Sequence, residues 1–143
     1  MSKSYHSLHE NRIFMGGAAD IEAIENNEGI DVVVDLRAEA TECAYPESTA
    51  TWVQVPLRDN ASESEYDLYK QAIDEVMNAY RAGKKVAFHC GGGKGRTGTV
   101  AVGTLISLGL ANNVDEAIES AKRIRPKIDL KPIQREALLK LFP

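Results

Sequence analysis

The chain has 143 residues, a net charge of −4, 43% hydrophobic residues and 27% charged residues, the composition of one globular domain. Those values exclude collagen-like, low-complexity and largely disordered classes. The acidic balance also argues against a general nucleic-acid or anionic-membrane binder.

The two cysteines are too few for a disulfide framework and form no CxxC pair, so both thiols are expected reduced, in a cytoplasmic protein. The opening MSKSYHSLHENR has no apolar core, so no secretory leader is expected. The longest apolar stretch, 100–110, is broken by Gly103, Thr104, Ser107 and Gly109 and is too short to span a membrane.

In chain order, residues 12–15 (RIFM) predict a short strand closed by Gly16 and Gly17. Residues 18–27 predict a helix with Asp20 as its cap and Gly29 as its stop. The β-branched run 30–36 (IDVVVDL) predicts a buried strand. Residues 37–50 are polar and irregular, with Pro46 as a breaker, and 52–55 (WVQV) alternate as a strand that stops at Pro56. Residues 62–65 (SESE) read as a capping box opening a helix. Its expected buried face is Tyr66, Tyr69, Ile73, Val76, Met77 and Tyr80, a helix core rather than a stacking platform for bases, and Gly83 ends it.

Residues 85–88 predict the next strand, followed at once by the glycine-dense loop 91–95 and an apolar helix over 97–108. Asn113 with Glu116 caps a further helix that buries Ala117, Ile118, Ala121 and Ile124 and ends at Pro126. Pro132 suits the first turn of a last helix burying Ile133, Leu138 and Leu141. Alternating strands and helices imply one α/β domain over residues 1–143. Its central, mainly parallel sheet would have about four to five strands flanked by helices.

Chemistry concentrates in residues 89–98 (HCGGGKGRTG). A cysteine leaves a strand end, a glycine run turns, and an arginine opens a helix. Glycines let successive backbone N–H groups point inward as an anion nest, and the helix N-terminus adds its partial positive charge. Arg96 supplies a guanidinium fork for two phosphate oxygens. Cys90 at the bottom of such a cup is favoured as thiolate, a nucleophile toward bound phosphorus. The nucleotide P-loop pattern GxxxxGK[ST] fails here, because Gly95 follows Lys94 and Phe88 stands where its first glycine belongs.

Residues 89–97 resemble the signature loop of the cysteine-dependent protein tyrosine phosphatase superfamily. Chain length and the late position of the loop resemble the compact dual-specificity branch. Residues 30–36 are similar to that family's strand before its variable loop, and Arg125-Pro126 to the pair closing its penultimate helix. Low-molecular-weight tyrosine phosphatases place the loop after their first strand, and rhodanese-like phosphatases usually lack the histidine, so both fit less well.

The resemblance implies Cys90 as the nucleophile that becomes phosphocysteine. The amides of Gly91, Gly92, Gly93, Lys94, Gly95 and Arg96, with the Arg96 side chain, would bind the phosphate. Thr97 would donate a hydrogen bond to the sulfur, and His89 would brace the loop and keep the thiol ionised. Asp59 stands where the family keeps its general acid, just past a strand end; Glu63, Glu65 and Asp67 compete from the start of the following helix. Asp35 reads as structural, paired with Arg37.

Lys94 is similar to the basic residue in the loop of phosphoinositide 3-phosphatases, although Gly91 holds the place of their second basic residue. It is either an exposed shoulder or a contact for a second phosphate. Arg58 either steers anionic substrate or is surface charge. Cys43 is a bystander unless oxidation pairs it with Cys90. Arg123, Arg125, Lys127 and Lys131 form a basic tail, expected as a solvated face, with a substrate-side anion patch as the alternative. The expected activity is phosphate monoester hydrolysis on phosphotyrosine and phosphoserine/threonine, without metal or organic cofactor, by a monomer. Phosphoinositide or inositol phosphate hydrolysis is the alternative. A phosphate-binding pseudophosphatase is the non-enzymatic rival, and the presence of Cys90, Arg96 and Asp59 together argues against it.

Overall fold

A computed structural model describes residues 4–143. In chain order it contains β1 (His6–His9), β2 (Ile13–Gly17), a 3₁₀ turn (Ala18–Asp20), α1 (Ile21–Glu28), β3 (Val32–Asp35), β4 (Thr51–Gln54), α2 (Tyr66–Arg81), β5 (Val86–Cys90), α3 (Arg96–Ser107), α4 (Val114–Ile124) and α5 (Pro132–Leu141). The strands form one five-stranded sheet in the order β1-β2-β5-β3-β4. Only β1 runs antiparallel, against β2. The expected α/β class with a mainly parallel sheet is the observed one.

The centre of the sheet is β5, buried along its whole length, which is why its sequence is apolar rather than alternating. Successive residues of the central strands feed opposite cores. Val32, Val34, Val86 and Phe88 face the large core under α2–α5, whereas Val33 and Ala87 face a smaller one with Tyr5, Phe14, Ile21, Ile24 and Ile30. The register sets Gly17 opposite Cys90 on one side and Asp35 opposite His89 on the other. Cys90 therefore ends the middle strand at the carboxyl edge of a parallel sheet, where α/β folds bind ligands.

Four local expectations need correcting. β1 was not expected: HSLH has no β-branched residue, and its pairing with β2 across a bulge supplies what propensity does not. The helix expected from residue 62 begins at Tyr66 with no side-chain cap. The 62–65 box does not form because the Glu65 carboxylate accepts hydrogen bonds from Arg58 instead. Tyr66, in that first turn, is exposed, with Lys140 Nζ 5.0 Å from its ring centre. Asp20 caps no downstream amide; its Oδ2 accepts the Gly17 N–H at 2.7 Å. Asn113 caps α4 as expected, accepting the Glu116 N–H at 2.9 Å. No helix among the described residues is long and apolar enough to cross a membrane.

Candidate active site

The loop after β5 is held open by its carbonyls. Gly91 O accepts from Ala18 N at 2.9 Å, Gly93 O from Arg125 Nε at 2.9 Å and Lys94 O from Asp129 N at 3.2 Å. Gly95 O accepts from Thr99 N at 2.9 Å and Thr99 Oγ1 at 2.7 Å. In a trans peptide the N–H opposes the C=O. With these carbonyls tied outward, the amides of Gly92, Lys94, Gly95 and Arg96 turn toward Cys90. Gly93 N–H donates to Cys90 Sγ at 3.3 Å and Thr97 Oγ1 donates to it at 3.0 Å. The sulfur, in a residue 3% exposed, thus lies on the floor of a cup of donors beside the N-terminus of α3. Gly93 has φ +72°, and a Cβ there would fall 2.8 Å from the Gly16 backbone and 2.4 Å from Arg125 Nη2, so only glycine fits.

Arg96 is 3% exposed and divides its donors. Nη1 and Nη2 grip the Glu39 carboxylate at 2.8 and 3.0 Å, and Nη1 also donates to Leu57 O at 2.9 Å. Nε is buried with no hydrogen-bond partner. The end-on fork is therefore filled by Glu39, and the side edge, Nε with the second Nη2 proton, is left for a ligand. Asp59 Oδ1 sits 3.9 Å from that Nε. The hydrogen bonds from Arg96 hold the Glu39 pKa down at about 2 against the opposing effect of burial. Burial lowers the Arg96 pKa, but Glu39, Cys90 and Asp59 together more than restore it, so the guanidinium is permanently charged.

Behind the cup, His89 is fully buried, and its Nδ1 donates to Cys90 O at 3.0 Å. Nε2 faces Asp35 Oδ1 at 3.7 Å without a hydrogen bond. Burial outweighs Asp35 and lowers the His89 pKa, so the ring is neutral with its proton on Nδ1. Asp35 is also fully buried and pairs with Arg37 as expected, through Nε at 2.9 Å and Nη2 at 2.9 Å, with Trp52 Nε1 at 3.0 Å. Burial pushes its pKa up, but the hydrogen bonds from Arg37 and Trp52, with the Arg37 charge, hold it below the ordinary value.

The expected basic tail divides. Arg123 and Lys127 are exposed, but Arg125 is completely buried, a correction to the solvated face. Its Nη1 donates to Ser4 O at 2.7 Å and to His6 Nδ1 at 3.0 Å; burial first, and the Arg125 charge second, lower the His6 pKa. Lys94 is exposed on the loop, Arg58 Nε pairs with Glu65 at 3.1 Å, and Cys43 is half-buried in the 37–50 segment. Glu63, Arg58, Asp59 and Tyr69 line one shallow cleft between the 58–65 segment and α5.

The family model for the dual specificity phosphatase catalytic domain matches residues 13–141. The chain belongs to this family. Solved phosphatase structures share its fold. One is a mouse putative dual specificity phosphatase crystallised with zinc tungstate, 18% identical, with TM-score 0.83 over 99% of this chain and 88% of that one. Tk-PTP in its active form is 26% identical, with TM-score 0.76 over 99% and 97%. PTPMT1 in complex with PI(5)P is 17% identical, with TM-score 0.78 over 97% and 94%. No curated protein matches the sequence significantly.

Glu39 is the residue of this phosphatase site that sequence reasoning missed. It lies in the irregular segment among other acids, and its partner is brought to it only because β3 and β5 are neighbours. Its side chain is 56% exposed, so its effect is orientational more than energetic. Glu39→Gln is expected to weaken competitive inhibition by inorganic phosphate and raise KM for an aryl phosphate by about 5-fold each, with a smaller fall in kcat. Unchanged phosphate inhibition would show that Arg96 needs no such support.

Proposed function

We propose that this dual-specificity-family phosphatase hydrolyses phosphate monoesters through Cys90, acting on phosphotyrosine and phosphoserine/threonine. The observation that carries the reading is convergence. The Cys90 sulfur, the unpartnered Arg96 Nε and the Asp59 carboxylate meet at one donor-lined cup. The phosphoryl group would sit in the cup with two oxygens on Arg96 and the rest on loop amides. The thiolate forms an S–P bond as the P–O bond to the leaving group breaks, and Asp59 delivers its proton to the departing oxygen. Water then attacks the phosphocysteine, giving its proton to Asp59 and releasing phosphate and thiolate, with the Thr97 hydroxyl stabilising the sulfur. The loop dipoles and Arg96 meet the charge that spreads over the equatorial oxygens. The two free thiols fit a reducing, cytoplasmic setting.

Little projects from the cup except Lys94 and Arg96, so the floor does not select the group carrying the phosphate. Selectivity falls to charge at the rim. Lys94 is exposed there, which also favours a second reading, phosphoinositide or inositol phosphate hydrolysis. PTPMT1, whose structure holds PI(5)P, shares the fold. The test is phosphate release from phosphotyrosine and phosphoserine peptides, phosphoinositides and inositol polyphosphates, with Cys90→Ser as control. Turnover of both peptide classes is expected, with a several-fold preference for substrates carrying a neighbouring anion. Lys94→Ala should erase that preference. Turnover confined to phosphoinositides or inositol polyphosphates would establish the second reading.

A further inference from the structure

The segment carrying Asp59 is pinned from three directions. Arg96 Nη1 holds Leu57 O at 2.9 Å. Glu65, immediately before α2 and with its side chain only 7% exposed, accepts from Arg58 N and Arg58 Nε at 3.1 Å each. Lys131, immediately before α5, donates from Nζ to Asp59 O at 2.6 Å and to Asn60 Oδ1 at 2.8 Å, and lies 3.7 Å from Asp59 Oδ1. The first two grips act on residues upstream of the acid. Among the described residues, no other hydrogen bond holds Asp59 or Asn60.

Lys131 is itself placed by the anion loop. Its N–H donates to Gln134 Oε1 at 2.8 Å. Gln134 is buried and packs so closely on Gly95 that a Cβ there would stand 3.0 Å from its amide. A continuous path of contacts therefore runs from Gly95 through Gln134 and Lys131 to the backbone of Asp59. We propose that Lys131 is the positioning residue of the general acid, fixing residues 59 and 60 to the phosphate loop so that the Asp59 carboxylate stays over the cup. Its side chain is 42% exposed, so its charge toward the carboxylate is largely screened; the hydrogen bond to the main chain does the holding. The inference rests on Asp59 acting as the acid.

The test compares the full-length wild type with Lys131→Met, Lys131→Arg, Asn60→Ala and Asp59→Asn. Substrates are para-nitrophenyl phosphate, phenyl phosphate and a phosphoserine peptide, in order of worsening leaving group. Lys131→Met is expected to lower kcat about 10-fold on the peptide and under about 3-fold on para-nitrophenyl phosphate, as for a misplaced proton donor. Competitive inhibition by inorganic phosphate should persist, since it reads the cup alone. Lys131→Arg should recover most of the loss. Asn60→Ala, which removes one of the two acceptors, should show the same trend more weakly. In an Asp59→Asn background, Lys131→Met should add no further dependence on leaving group.

Equal losses on all three substrates, or weakened phosphate inhibition, would overturn the proposal in favour of a general structural role. So would no loss at all. If Asp59→Asn retains the steep dependence on leaving group and Lys131→Met lacks it, the positioning role alone falls. If Asp59→Asn itself loses equally on all substrates, the acid assignment falls and takes the inference with it.

Discussion

Cys90→Ser is expected to lower turnover of every substrate by at least about 10⁴-fold, the scale seen when a covalent nucleophile is removed. Binding should survive. The carbonyls of Gly91, Gly93, Lys94 and Gly95 are tied outward by Ala18, Arg125, Asp129 and Thr99, and none of those ties involves the sulfur. The serine enzyme should still bind inorganic phosphate, measured by titration calorimetry. It should also retain a substrate peptide that the wild type would consume. A serine variant that turns over, or a wild type that needs a divalent metal, would contradict a phosphocysteine route. Loss of phosphate binding along with turnover would show that the sulfur organises the loop.

Asp59→Asn should follow the leaving group. An alkoxide departs only with a proton, so phosphoserine hydrolysis is expected to fall by about 10² to 10⁴-fold. Para-nitrophenolate leaves without help, and its ester should lose no more than about 10-fold. Asparagine keeps the size of the side chain and an oxygen acceptor. The Lys131 contact to the main chain is likewise retained, so the comparison isolates the proton. A uniform loss would transfer the role to Glu63, in the neighbouring cleft.

The chemistry of the loop was legible because it is written locally. A strand-end cysteine, a glycine run and an arginine opening a helix must be contiguous to make an anion cup, and residues 89–97 are. Asp59 was legible through the family resemblance, and the fold sets its Oδ1 3.9 Å from Arg96 Nε. Glu39 was not, since nothing local distinguishes it from Glu42, and Arg125 stood out only through the Arg125-Pro126 resemblance, which carries no sign that the side chain is buried against the loop. Their roles arise when β3 lies beside β5 and when the end of α4 abuts the glycine loop. The misplaced start of α2 has the same origin. A carboxylate read as a local cap is claimed by Arg58, which only the tertiary structure places within reach. β1 escaped because pairing with β2, not side-chain propensity, makes it a strand.

The ties that shape the cup come from opposite ends of the chain: Ala18 on one side, Arg125 and Asp129 on the other. During synthesis the glycine loop leaves the ribosome well before Arg125 does. Until those last helices arrive, the carbonyls of Gly93 and Lys94 have no partners to turn them outward, and the loop has no reason to hold its amides together. A nascent chain therefore presents Cys90 without an oxyanion trap around it. A fragment that ends before residue 125 lacks the Arg125 and Asp129 ties and is expected to leave the cup unassembled.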